Sequence, residues 1–271
     1  MRILYCGDVV GRAGRTAIET HIPMLREKLK LDFVVVCGEN ATHGFGISKK
    51  HYDGMRAVGV DVVTLGNHAW DQRETMLFIN EDAHLIRPMN YPLGTPGRGY
   101  GIYNTEKGKK IMVVQVMGRL FMDPLDDPFQ SVDKVLATQN LGRTVDAIIV
   151  DIHGEATSEK AAMAHHCDGR VSLVVGGHTH VPSADARIFE GGTAFQTDAG
   201  MCGDYNSVIG MKKEAATARF VKKIPGERLS PAEEEGTLCG VVIVTDDKTG
   251  RTTQVHPVRV GGMLAGHLPA L

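Results

Sequence analysis

Several apolar runs in this sequence stop at side chains that can bind a metal ion. The fullest case is residues 171–175, which drive into Gly176-Gly177-His178-Thr179-His180. If the run is a strand, its end delivers two imidazoles, one residue apart, from a turn that glycine allows. A lone His-x-His is weak evidence, since two solvated loop histidines would look the same. The other run ends change that reading. Gly7-Asp8, Gly38-Glu39-Asn40, Gly66-Asn67-His68 and His153-Gly154-Glu155 each follow a further apolar stretch. The candidate ligands are then Asp8, Glu39, Asn40, Asn67, His153, His178 and His180. Carboxylate, amide and imidazole together suit Mn, Fe or Zn at five- or six-coordinate sites better than structural zinc, which favours closed tetrahedral sets. Such a set is too large for one ion and about right for two that share a carboxylate. Two ions ~3.5–4 Å apart can hold a bridging hydroxide and clamp a phosphoryl group during in-line displacement.

The elements that must position these residues alternate along the chain. Residues 3–6, 32–37, 61–65, 147–151 and 171–175 read as buried strands. Between them lie helical patterns: one to about Lys30, interrupted near Pro23, one from a Ser48 cap through Ala57, and others over 74–79, 131–140 and 157–166. Continuous apolar strands with helices between them predict parallel sheets covered on both faces, with the ligand site off the carboxyl ends of the strands. A short strand is expected at 84–86 and a hairpin from 101–104 and 111–116. Residues 184–189, 193–197, 240–245 and 252–260 read as antiparallel strands. The charged stretch 212–236, with Pro225 and Pro231, reads as an exposed excursion. The expected architecture is α/β, one domain over 1–271, with two stacked layers of sheet and helices outside.

Composition narrows the function. A net charge of −2 gives no basic footprint for nucleic acid, so no stable nucleic-acid binding is expected. Five scattered cysteines with no C-x-x-C pair argue for reduced thiols in a cytoplasm rather than a disulfide framework. The first apolar run is too short for a signal peptide, and no stretch approaches the ~20 apolar residues of a membrane span.

Taken in order, Gly7-Asp8, Gly38-Glu39-Asn40, Gly66-Asn67-His68-x-x-Asp71, His153 and Gly177-His178-x-His180 resemble the calcineurin-like metallophosphoesterases. Longer motifs narrow this. Gly7-Asp8-Val9-Val10-Gly11, Gly38-Glu39-Asn40-Ala41, Gly44-Phe45-Gly46-Ile47, the stretch from His153 to Lys160 and Thr197-Asp198-x-Gly200-Met201 look like the YmdB-like phosphodiesterases of bacteria. The resemblance runs from residue 1 to about 260. It implies a two-layer β-sandwich flanked by helices and a pair of metal ions, Fe or Mn. Many members of the superfamily have a histidine where this chain has Val10, and an aspartate where it has Glu39. The narrower resemblance implies that Asn40 takes the missing histidine's place. One ion would then be held by Asp8, Glu39, Asn40 and His180, the other by Glu39, Asn67, His153 and His178. It also makes His68 the catalytic histidine, a proton donor to the leaving oxygen, with Asp71 as partner for its other nitrogen.

The implied activity is hydrolysis of 2',3'-cyclic nucleotides, with 3',5'-cAMP as a further substrate. The alternatives are a phosphomonoesterase or nucleotidase with the same core, and a regulatory nucleotide-binding protein with slow turnover. A homo-oligomer is expected. His43 and Arg12 are weaker candidates for substrate contact. A solvated loop histidine is the better reading of His43, and a weak surface ion pair explains Arg12 and Arg15 as well as phosphate contact does. His165 and His166 read as helix-end histidines favoured by the dipole, and Cys6 and Cys37 as core thiols.

Overall fold

The computed structural model describes residues 1–223 and 226–271. In chain order the elements are β1 (Arg2–Cys6), β2 (Asp8–Val9), α1 (Gly11–Leu29), β3 (Phe33–Cys37), α2 (Lys49–Ala57), β4 (Val62–Thr64), α3 (Thr75–Phe78), β5 (Leu85–Ile86), β6 (Tyr100–Asn104) and β7 (Lys110–Met117). Then follow α4 (Pro128–Leu136), β8 (Ala147–His153), α5 (Thr157–Cys167), β9 (Leu173–Gly177), β10 (Arg187–Ile188), β11 (Ala194–Gln196), β12 (Met201–Cys202), α6 (Lys213–Lys222), β13 (Leu238–Thr245) and β14 (Thr252–Val260). Two six-stranded sheets run β14-β13-β1-β3-β4-β5 and β10-β11-β9-β8-β7-β6, and β12 pairs with β2 alone.

The continuous apolar runs are explained by burial on both faces. Successive residues of a strand point to opposite sides. From the first sheet Ile3, Tyr5, Phe33 and Val35 meet Val113, Ile149, Leu173 and Val175 of the second, forming the layer between them. The alternate residues Leu4, Val34 and Val36 pack outward on Ile18, Ile22, Leu25 and Leu29 of α1. On the second sheet Val114, Ile148 and Val150 pack on Val132 and Val135 of α4 and Met163 of α5. Helices therefore lie outside both sheets, as expected.

Four local expectations are corrected. Helix α1 runs unbroken through Pro23, because the apolar stripe on both sides of the proline is anchored to the sheet and tertiary packing outweighs the lost backbone bond. Helix α4 starts at Pro128, earlier than expected. Asp127 caps it by accepting from Phe129 N–H at 2.9 Å and Gln130 N–H at 3.1 Å, and the proline takes a first-turn position where no N–H is needed. Strand β11 is antiparallel to β10 but parallel to β9, since the 178–193 connection returns the chain to the start of β9. The 212–236 stretch is exposed through α6, in which only Ala216 is buried. Beyond it an arm turns back into the protein, and the Ala232 N–H reaches the Gly210 carbonyl at 2.8 Å.

The parallel strands set the site. Strands β1, β3 and β4 run side by side, as do β7, β8 and β9, with His153 opposite Gly177 and Cys37 opposite Thr64. Asp8, just beyond β1, and Glu39, Asn67, His153 and His178, at or just beyond the ends of β3, β4, β8 and β9, thus lie at the same edge of the sheets.

Candidate metal centre

The structure brings the expected ligands together. Asp8 is fully buried; its Oδ2 accepts the His178 N–H at 3.0 Å and its Oδ1 the Cys37 thiol at 3.2 Å. Gly7 has to be glycine here, because a Cβ would lie 1.8 Å from the Gly200 carbonyl oxygen. Glu39 is buried with its Oε1 3.0 Å from His153 Nε2, while its Oε2 accepts the His68 N–H at 2.9 Å. Asn67 Oδ1 lies 2.9 Å from the same His153 nitrogen. Donor atoms of Glu39, His153 and His178 all fall within 4.8 Å of one another, as do those of Asp8, Cys37 and His153.

This donor set fits a metal. Ligand atoms about 2.1 Å from a six-coordinate ion lie about 3.0 Å apart along each edge of the octahedron, which is the spacing of His153 Nε2 from Glu39 Oε1 and from Asn67 Oδ1. Asn40 gives its amide Nδ2–H to the Gly44 carbonyl at 3.0 Å, which leaves its Oδ1 buried with no partner; His153 Nδ1 is buried and unpartnered too. Orphaned buried polar atoms are uncommon and call for an explanation. His180 Nδ1 lies 2.8 Å from the Ile209 carbonyl. A carbonyl only accepts, so Nδ1 carries a proton and Nε2 is the nitrogen left to face a metal. Space is kept by glycines: a Cβ on Gly66 would sit 2.3 Å from Glu39 Oε2 and 2.6 Å from His153, and one on Gly177 3.0 Å from Asp8 Oδ2.

The electrostatics agree. Burial, the largest single influence, would raise the Asp8 and Glu39 carboxyls. At Asp8 His153, His180 and the His178 N–H together, and at Glu39 the charge and hydrogen bond of His153 together with His68, hold them below their ordinary values. Burial would lower His153, yet Glu39 and Asp8 push it up to about 9. His178 is lowered to about 4, by burial and then by the His153 charge. The cluster is thus an anionic pocket whose imidazolium a cation would replace.

His68 lies beside this cluster. Its Nδ1 is 2.8 Å from Asp71 Oδ2, and its ring meets Phe45 edge-on at 5.1 Å. Together with Glu39, Asn40, His178 and His180 it lines a compartment of about 370 Å³. Glu155 lies 3.3 Å from His178 Nε2. His43 lines a neighbouring hollow instead. Arg12 turns to Glu233 at 3.3 Å, and Arg15 donates to the Ala41 carbonyl. His166 pairs with Asp133 at 3.0 Å and His165 stacks on Phe189, both at the end of α5. Cys6 and Cys37 are buried free thiols.

Two residues that stand in the sequence motifs without an assigned role, Lys160 and Asp198, hold the histidine turn. His178 and His180 adopt φ 91° and φ 65°, the left-handed region that non-glycine residues seldom occupy. Lys160, fully buried, donates to the Gly177 carbonyl at 2.6 Å and to Asp198 Oδ2 at 2.9 Å. The same carboxylate oxygen accepts the Thr179 N–H at 3.1 Å and its hydroxyl at 2.7 Å. A signal was present: Lys160 falls in step with Met163, Ala164 and Cys167, the buried stripe of α5.

Two stacked sheets flanked by helices, with carboxylate, amide and imidazole donors gathered at their strand ends, define a calcineurin-like metallophosphoesterase. Residues 4–258 match the family described as YmdB-like protein. The chain is 44% identical over 260 residues to a 2',3'-cyclic-nucleotide 2'-phosphodiesterase of Bacillus subtilis, covering 96% of this chain and 97% of that protein. It superimposes with a TM-score of 0.90 on the crystal structure of a hypothetical protein from Thermus thermophilus, at 41% identity, over 97% of this chain and 100% of the other. A crystal structure of a novel phosphatase from Mycoplasma pneumoniae gives 0.89 at 34% identity, over 96% and 93%. The chain therefore belongs to the YmdB-like family.

Proposed function

We propose that this enzyme is a two-metal phosphodiesterase that hydrolyses small cyclic nucleotides, 2',3'-cyclic ones first and 3',5'-cAMP second. One observation carries the reading: His68, braced by Asp71, faces the same compartment as the buried donors Glu39, His178 and His180. The name of the Bacillus subtilis relative supports the substrate class. Asp8, Glu39, Asn40 and His180 would hold one ion and Glu39, Asn67, His153 and His178 the other; their mixed donors suit Mn, Fe or Zn, and the family resemblance favours Fe or Mn. When bound, the ions supply Lewis acidity that activates water and neutralises the phosphate.

The chain's own residues do the rest. Asp71 accepts from His68 Nδ1–H, which leaves Nε2 for the substrate. Protonated, Nε2 donates to a phosphate oxygen and then gives its proton to the departing ribose oxygen. Phe45 packs against the ring and limits its swing. Among the described residues no helix is long and apolar enough to cross a membrane. The buried free thiols suit a reducing compartment, and a cytoplasmic homo-oligomer completes the reading. In such an assembly a second copy would cover Phe220 and Val221, both 75% exposed.

Hydrolysis of 2',3'-cAMP by metal-loaded protein tests the function. His68→Ala should lower kcat by about 10²–10⁴-fold with metal content unchanged. Wild-type turnover no faster than that variant's would refute catalysis and leave a nucleotide-binding protein. Preferred turnover of a 3'-monophosphate would make the enzyme a nucleotidase.

A further inference from the structure

The catalytic compartment does not end at Phe45 and Leu229. Both residues also wall a second hollow of about 720 Å³, twice the size of the first, which Asp71, His43, Arg219 and Arg228 line from outside. Ligand pockets commonly span about 300–1,000 Å³, so the inner compartment alone has room for a cyclic phosphate and its ribose. The outer one has room for the remainder of a larger molecule.

Its charge is the informative feature. Arg219 comes from α6 and Arg228 from the arm that returns after it, and both face the same hollow. Among the described residues neither has a carboxylate within ion-pair distance. The two carboxylates in that wall are engaged elsewhere, Asp71 with His68 at 2.8 Å and Glu233 with Arg12 at 3.3 Å. Two arginines that would merely decorate a surface need not converge on one cavity, nor on the one next to the catalytic histidine. The wall itself is built: Gln72 Nε2 donates to the Phe45 carbonyl at 2.7 Å, and Gln72 follows Asp71 in the chain. Phe45, Leu229 and Pro231 add apolar surface on which a base or sugar can rest.

A guanidinium is planar and matches phosphate bidentately. We infer that the preferred substrate carries a second phosphate, which Arg219 and Arg228 receive in the chamber beyond Phe45 and Leu229. This rests on the phosphodiesterase reading for the first phosphate. The second phosphate has two chemical sources, a 5'-phosphate on the same nucleoside or the internucleotide phosphate of a short oligoribonucleotide.

Binding separates the inference from the activity. Calorimetry on metal-loaded protein at fixed ionic strength would compare adenosine 3'-monophosphate, adenosine 3',5'-bisphosphate and the dinucleotide ApAp. At least one two-phosphate ligand should bind roughly 10- to 100-fold tighter than the monophosphate, the usual range for charge-assisted hydrogen bonds. The double variant Arg219→Gln/Arg228→Gln should lose that gain while hydrolysing 2',3'-cAMP at the wild-type rate. A gain for the bisphosphate assigns the 5'-phosphate; a gain for ApAp alone assigns the internucleotide one. Equal affinities for all three ligands, or a gain that survives in the double variant, overturns the inference. Failure of wild-type protein to hydrolyse 2',3'-cAMP bears on the phosphodiesterase reading alone, because the binding arm needs no turnover.

Discussion

Replacing Lys160 by methionine tests how the histidine turn is held. The change keeps length and apolar bulk but removes the ammonium between the Gly177 carbonyl and Asp198. Breaking one side of a buried ion pair costs about 3–5 kcal/mol. Asp198 keeps the Thr179 N–H and hydroxyl and, at Oδ1, the Gly200 N–H at 2.8 Å, so the lower end, about 3 kcal/mol, applies. Against a stability of about 5–15 kcal/mol the variant should still fold, with Tm down by roughly 6–12 °C. The functional loss should be larger than the stability loss implies. His178 and His180 sit in a backbone conformation they do not favour, and an error of about 1 Å in a catalytic constellation costs about 10²-fold in rate. Metal content by elemental analysis, Tm and kcat on 2',3'-cAMP would be measured beside Met163→Ala. That residue is buried on the same helix face, in the apolar cluster against the second sheet. Lys160→Met should lose metal and rate, whereas Met163→Ala, at about 2–5 kcal/mol, should lose only Tm. Wild-type metal affinity and rate in Lys160→Met would show that the pair does not position the turn.

Gly66→Ala should expel metal, because its Cβ would meet Glu39 Oε2 and His153, and crowding these buried side chains should cost about 1–3 kcal/mol of stability; full metal occupancy would contradict the cradle. Asp71→Asn should slow hydrolysis about 10- to 100-fold without metal loss, and unchanged kcat would remove Asp71 from the mechanism. The metal-free protein should be most stable near pH 6.5. His153, raised to about 9, contributes stability that is complete below 6.5 and lost as pH rises through 9. His178 and His51, both lowered to about 4, stay neutral when folded, so stability falls as pH drops from 6.5 toward 4. Thermal unfolding in chelator checks this, and a Tm that climbs steadily to pH 9 would contradict it. Added metal should flatten the alkaline side, since ligation holds His153 unprotonated at every pH there.

Much of the site was legible because of one regularity. Parallel strands buried on both faces show as unbroken apolar runs, and the first polar residue after each run lies at the ligand-binding edge. Asp8, Glu39, Asn67, His153 and His178 were visible in this way, and the spacing His68-x-x-Asp71 gave a brace within reach. The position of Pro23 within α1 was not legible, because a proline that breaks an isolated helix is tolerated once both flanks are packed. The direction of β11 against β9 was hidden as well, since an apolar run carries no sign of which neighbour it joins.

By itself the sequence determined which atoms could bind a metal and on which turns they stand, since both follow from residue type and local periodicity. The tertiary structure alone decided that the strand ends of two separate sheets meet, so that Asp8, two residues beyond β1 of the first, lies under His178, just beyond β9 of the second, at hydrogen-bond distance. It alone set Lys160, already on the buried stripe of α5, beneath the histidine turn, and returned the arm bearing Leu229 to the cleft. These are contacts between residues far apart in the chain. Local pattern carries no information about them, because they exist only once the two apolar sheet faces have closed on each other and excluded water.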